Sequence, residues 1–161
     1  MNDSNKKQLE RDRIIEHRDI EGLFKIPEND FFSVTLHEIL NKKCEFNPIN
    51  LNPTERVLFL CINLENAGQS DGILTFLQEC YPEYATEAVN ALNEIGATTS
   101  AEIIKQAIEL LPKDGSQFFS MKDEEKEKLM MKLDRDFSNY PDGFLCDLFR
   151  KYAERHRKDF D

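Results

Sequence analysis

The run Val57-Leu58-Phe59-Leu60-Cys61-Ile62-Asn63-Leu64, entered through Asn52-Pro53-Thr54-Glu55, restricts the fold more than any other stretch of this chain. Asn52 suits a helix N-cap, because its side-chain oxygen can accept from an otherwise unsatisfied N–H of the first turn. Pro53 fits the first helical position, where its missing N–H costs nothing, and Glu55 stands where a capping-box acid reaches back to the cap. The helix that follows is apolar nearly all round, so it has to be central and covered on its sides. With 161 residues, the chain is long enough to provide that cover without disulfides or a metal, and one core is expected.

The cover reads as further helices. Residues 1–29 mix both charge signs with few apolar groups and are expected to form a polar N-terminal segment, partly helical or frayed, ahead of an all-α domain over 30–161. Phe31, Phe32, Val34, Leu36, Ile39 and Leu40 fit a helix, although the stretch 31–36 also fits a short strand. After a glycine-bearing corner at 65–72 come 73–81 and then a helix for which Pro82 suits the start and Gly96 the left-handed residue at the end. Thr99 and Glu102 have capping-box spacing for a helix that Pro112 stops. A loop precedes two further helices, with Pro141 and Gly143 at their junction. No alternating strand pair with hairpin chemistry occurs, and the expected architecture is all-α, a compact single-domain bundle of about seven helices.

Charge is unevenly spread. The chain holds 31 acids and 21 bases, a net of −10, and residues 30–111 alone hold 12 acids against 4 bases, a net of −8. At about 100° per residue, Glu83, Glu87, Asn90 and Glu94 share a narrow arc, opposite Ala85, Ala88, Val89, Ala91, Leu92 and Ile95. In the next helix Glu102, Lys105, Gln106 and Glu109 lie opposite Ile103, Ile104, Ala107, Ile108, Leu110 and Leu111. Two helices meeting at a tight corner are also the pattern of a DNA reader. A recognition helix, however, needs donors to phosphates and base edges, and residues 97–111 offer one lysine and one glutamine beside two glutamates. Direct nucleic-acid binding is therefore not expected; the acidic face would repel a polyanion and steer basic partners towards it. Glu83, Glu87, Glu94, Glu102 and Glu109 are the candidate partner-binding residues, against the plainer reading of an ordinary solvated face.

Other chemistry lacks its parts. His17, His37 and His156 share no helix face, no serine sits in a nucleophile elbow, and neither a dinucleotide fingerprint nor a phosphate-binding loop occurs. No enzyme, cofactor or metal role is expected. Cys44, Cys61, Cys80 and Cys146 are widely spaced, without a C-x-x-C pair, and read as reduced core thiols. The start of the chain lacks a signal-type apolar run and no stretch reaches membrane-spanning length, so a soluble cytoplasmic protein without membrane contact is expected. Arg150, Lys151, Arg155, Arg157 and Lys158 lie opposite Phe144, Leu145, Leu148, Phe149 and Tyr152, as suits cations at a helix C-terminus.

Taken in order, the pieces resemble a bacterial family of DNA-mimic proteins, first catalogued as a domain of unknown function. Its members carry an Asn-Gly-Gly-Phe corner, an Ile-Gly-Ala helix junction and a Leu-Asp-x-x-Phe helix. Here Ser70, Asp71, Gly72 and Ile73 occupy the corner, a departure from the pattern. Ile95, Gly96 and Ala97 match the junction, and Leu133, Asp134 and Phe137 match the helix. The likeness covers residues 30–160. It implies an all-helical homodimer whose acidic surface occupies the DNA-binding face of a basic nucleic-acid-binding protein such as a transcription factor. The alternative is an immunity-type or neutralising protein whose acid fits a basic toxin or nuclease.

Overall fold

In the computed structural model, which describes residues 2–160, the capping box at Asn52 forms as expected. The Glu55 N–H donates to Asn52 Oδ1 at 2.9 Å and the Asn52 N–H donates to Glu55 Oε1 at 3.2 Å. Helix α4 follows over Pro53–Gln69, with Leu58, Phe59, Leu60, Cys61, Ile62 and Leu64 all buried. The other helices are α1 (Asp3–His17), α2 (Ile20–Phe24), α3 (Asn29–Cys44), α5 (Ala85–Glu94), α6 (Thr98–Leu110), α7 (Glu124–Ser138) and α8 (Leu145–Arg155). Among the described residues the chain is 77% helical without a strand, and seven helices have seven or more residues, so the all-α class and the helix count are as read from the sequence. The backbone divides into two compact units, Met1–Phe59 with Cys146–Asp161, and Leu60–Leu145.

In the first unit, residues 31–36 are helical and not a strand. Phe32, Leu36, Ile39 and Leu40 recur on the buried side of α3. The Ser33 and Thr35 hydroxyls donate to the carbonyls of Asn29 and Phe31 at 2.9 and 2.7 Å, which accommodates the β-branched Thr35 in the helix. Helix α1 is capped by Asn2 and buries Ile14 and Ile15. Arg150 is not part of an outward basic face. Its guanidinium donates to the carbonyls of Ile26 and Phe24 at 2.6 and 2.9 Å, pairs with Glu154 at 2.8 Å and lies 4.4 Å over the Phe32 ring. Phe144, expected on the same apolar side but belonging to the second unit, is exposed. The capping box is reinforced by a distant carboxylate: Thr54 Oγ1 donates to Asp159 Oδ2 and Asn52 Nδ2 to the Asp159 carbonyl, both at 2.7 Å. Lys43 closes the group on Glu55 at 2.8 Å.

The second unit is tied by two aspartates. Asp134 on α7 accepts the Ile73 N–H at 2.9 Å. Gly72 beside it has φ +103°, and a Cβ there would lie 3.3 Å from the Asp134 carboxylate, so the corner needs glycine for both reasons. Gln69 donates to the Ser138 carbonyl at 3.0 Å and Ser138 returns its hydroxyl to the Gly68 carbonyl at 2.8 Å. The corner and the Leu133-Asp134-Phe137 motif, more than 60 residues apart in sequence, thus form one joint. Asp142 caps α6, accepting the N–H groups of Thr99 at 3.1 Å and Ser100 at 2.7 Å. The expected Thr99–Glu102 box does not form: the residue at the N-cap is Ala97, which has no side-chain acceptor. Burial pushes the Asp142 carboxyl up, but the bonds from Ser100 and Thr99 outweigh it and hold it below the usual carboxylate range.

Asp142→Ala leaves two N–H groups of the first turn of α6 unsatisfied and should lower unfolding stability by about 1–2 kcal/mol, whereas Thr99→Ala should change it by less than about 0.5 kcal/mol. Because the folded carboxyl is the stronger acid, the Asp142 contribution is present above the ordinary carboxylate pKa and lost as pH falls through the folded value. Urea titrations of both variants from pH 7 downwards check this; the gap between wild type and Asp142→Ala should narrow as pH falls below the ordinary carboxylate range.

Candidate functional site

Helices α5 and α6 pack against each other through the apolar positions that sequence periodicity selects: Ala88, Ala91 and Leu92 on α5, and Ala101, Ile104 and Ala107 on α6, are all buried. The corner between them closes at Gly96, φ +90°, with the Ala97 N–H on the Leu92 carbonyl at 2.8 Å. The five glutamates follow from that packing. Glu94, Glu102 and Glu109 are exposed, while Glu87 in the first turn of α5 is half-buried. Glu83 is exposed but lies outside α5. The helix begins at Ala85, and Glu83 sits in the 3₁₀ turn Pro82–Tyr84 that precedes it, so it does not share the 100° register of Glu87 and Glu94.

Within each helix the matched acids, Glu87 with Glu94 and Glu102 with Glu109, are seven residues apart, roughly 10 Å of rise. One strand of a duplex presents a phosphate about every 3.4 Å. The face therefore carries about one carboxylate for every three phosphates of a strand. Lys105, also exposed, is the single base between Arg56 and Lys113, a stretch that holds eight acids. With Lys105 the one base on α5 and α6, the exposed Glu102 and Glu109 attract cations over a Debye length of about 8–10 Å.

A further acid was not singled out by sequence reasoning. Glu65, half-buried on α4 one turn beyond the buried Cys61, has its carboxyl pushed up to about 7 by burial. Burial likewise raises the Cys61 thiol well above its usual value, with Glu65 and Glu94 adding to the effect. A lone glutamate following the apolar run of α4 was the available signal. The four cysteines are free, but only Cys44 and Cys61 are core residues. Cys80 is exposed and Cys146 half-buried, because they fall at the end of the π-helical segment Thr75–Cys80 and in the first turn of α8. His37 is half-buried beside Asn41, and His156 lies against Tyr152 with Nδ1 3.6 Å from Asp159. No group of three or more potential metal ligands occurs among the described residues, and no helix there is long and apolar enough to cross a membrane.

Fold and surface together define a helical protein with an acid-faced helix pair. Residues 49–156 match the family model described as DMP19-like protein, and the chain belongs to that family. All three motifs carrying the resemblance, at 70–73, 95–97 and 133–137, fall inside the matched span. No curated protein and no solved structure gives a match.

The raised Glu65 carboxyl has a thermodynamic consequence. Its folded pKa lies above the unfolded value, so its contribution is most favourable below about pH 4.5 and is lost as pH rises through about 7. Glu65→Gln, which removes the buried charge, should stabilise the protein by about 1–3 kcal/mol at pH 8 and change it little at pH 4.5, as read from denaturation midpoints at the two pH values.

Proposed function

We propose that this protein is a non-catalytic acidic binding protein that occupies the nucleic-acid-binding face of a basic partner, acting as a DNA mimic in the form of a homodimer. The reading is carried by one observation: the α5–α6 pair turns Glu94, Glu102 and Glu109 to solvent with Lys105 as the sole base on either helix. Membership of the DMP19-like family supports it. The partner's lysines and arginines would meet carboxylates at intervals of several ångströms, and long-range attraction would speed the encounter. Such a surface also disfavours nucleic acid itself, since a duplex loses rather than gains by approaching like charge.

The test is competition. Partners captured by the wild-type chain from its own cell should be displaced by excess duplex DNA and by rising salt. The triple variant Glu83→Gln, Glu102→Gln, Glu109→Gln should retain them at least tenfold less well, yet melt at the same temperature or higher, because exposed carboxylates contribute little to folding. The chain alone should not shift duplex DNA on a gel at low salt. Partners retained equally by the triple variant would reduce the face to ordinary solvated surface. A captured nuclease or toxin whose catalysis is blocked would favour the immunity-type reading instead. Sedimentation at twice the chain mass checks the homodimer.

A further inference from the structure

A second surface of the Leu60–Leu145 unit has a different character. Between the corner at 71–75, the π-helical segment Thr75–Cys80 and helix α7 lies a groove of about 280 Å³. Its apolar lining is Ile73, Leu74, Met130, Met131 and Phe119. Of these, Met131 and Phe119 are 67% and 62% exposed, a cost in water that packing elsewhere in the unit does not remove. The polar lining includes the carboxylates of Asp71, Glu79, Glu127 and Asp134, with no lysine or arginine among the residues that form it. Asp71, Glu79 and Glu127 make no ion pair among the described residues.

The groove is braced on both sides. On one, Asp134 holds the Ile73 N–H. On the other, Gln78 accepts the Phe118 N–H at 2.9 Å and donates to the Ser116 carbonyl at 3.2 Å, fixing the loop that presents Phe119. A preformed surface binds without the ordering cost that a mobile one incurs.

We propose that this groove is a docking site for a short basic segment of a partner protein, one large apolar side chain seated against Phe119, Met130 and Met131 and flanked by lysine or arginine that meets Asp71, Glu79 and Glu127. Size and charge select this occupant. Ligand pockets for drug-sized molecules span roughly 300–1,000 Å³, so about 280 Å³ suits one or two side chains rather than a whole cofactor. The exposed thioether of Met131 adapts to aliphatic or aromatic anchors. An all-acidic rim repels nucleic acid and acidic peptides and favours a cationic one. The site is separate in residues from the α5–α6 glutamates, so it stands or falls independently of them.

A fluorescein-labelled helical peptide of lysine and leucine, read by anisotropy at low salt, tests the assignment against a peptide with every leucine replaced by serine. The leucine peptide should bind wild type at least tenfold more tightly than the serine peptide. Phe119→Ser with Met131→Gln, both at exposed positions and so compatible with folding, should erase that tenfold preference. Asp71→Asn, Glu79→Gln and Glu127→Gln together should weaken the leucine peptide at least tenfold and flatten its salt dependence. The Glu83, Glu102 and Glu109 triple variant should bind it within twofold of wild type. Equal binding of the two peptides by wild type, an unchanged preference in the Phe119 and Met131 variant, or a loss confined to the α5–α6 variant would each overturn the proposal. Circular dichroism of every variant confirms that the fold is retained.

Discussion

Two carboxylates aimed at backbone N–H groups hold the Leu60–Leu145 unit in register. Asp134 accepts from Ile73, and Asp142 accepts from Thr99 and Ser100. Each substitutes a side chain for a backbone partner that a turn or helix start cannot supply, and each does so from a distant part of the chain. Charge-assisted bonds of this kind are stronger than neutral ones, so a few fix what local propensity leaves undecided. The placement of α6 relative to the 142 loop and of the 72–73 corner against α7 follows from them. So does the surface that α6 presents. A different long-range tie serves the first unit, where the Asp159 carboxylate accepts the Thr54 hydroxyl and its carbonyl accepts the Asn52 side-chain amide.

Two groups of acids in the chain serve different ends. Glu55, Asp134, Asp142 and Asp159 are spent on N–H, hydroxyl or ammonium donors. Glu83, Glu94, Glu102 and Glu109 face solvent. A net charge alone does not separate these roles, because both kinds count equally in it. Their difference is one of exposure, and only the second kind can meet a partner without unfolding something. That Lys105 stands alone beside them on α5 and α6 matters more than the total of −10, since a counter-charge within a turn of helix cancels much of the field a partner would sense.

Helix positions were legible because they rest on local chemistry. Apolar periodicity, the Asn52 box, Gly96 and Pro112 act over a few residues, and the structure places helices where they indicate. What escaped depends on contacts distant in sequence. Thr99 and Glu102 have box spacing, but the Asp142 carboxylate takes the N–H groups that such a box would claim. Glu83 follows a proline suited to a helix start, yet the backbone makes a tight turn first and the α-helix opens two residues later. Arg150 reads as a surface cation until the carbonyls of Phe24 and Ile26 are seen within its reach. Five candidate glutamates were identified from sequence, four of them exposed; the groove beside α7 was not, since it joins residues 71–79 to 117–134 and no periodicity links those stretches.

The π-helical segment Thr75–Cys80 carries a consequence for how this unit tolerates change. A wider helical turn holds one residue more than an α-turn over the same rise, and the Tyr81 N–H reaching the Phe76 carbonyl at 3.0 Å marks it here. Deleting any one residue there would let the segment relax into ordinary α-helix. One residue fewer at the α pitch turns through nearly the same total angle, so the chain beyond the segment would keep its direction, and the displacement would fall on the residues within it, Gln78 among them, which holds Ser116 and Phe118. The segment works as a spacer whose length is counted in single residues. Substitutions along it would be absorbed one side chain at a time, while a shift in length would be felt first at Gln78 and the two bonds by which it holds the 116–119 loop.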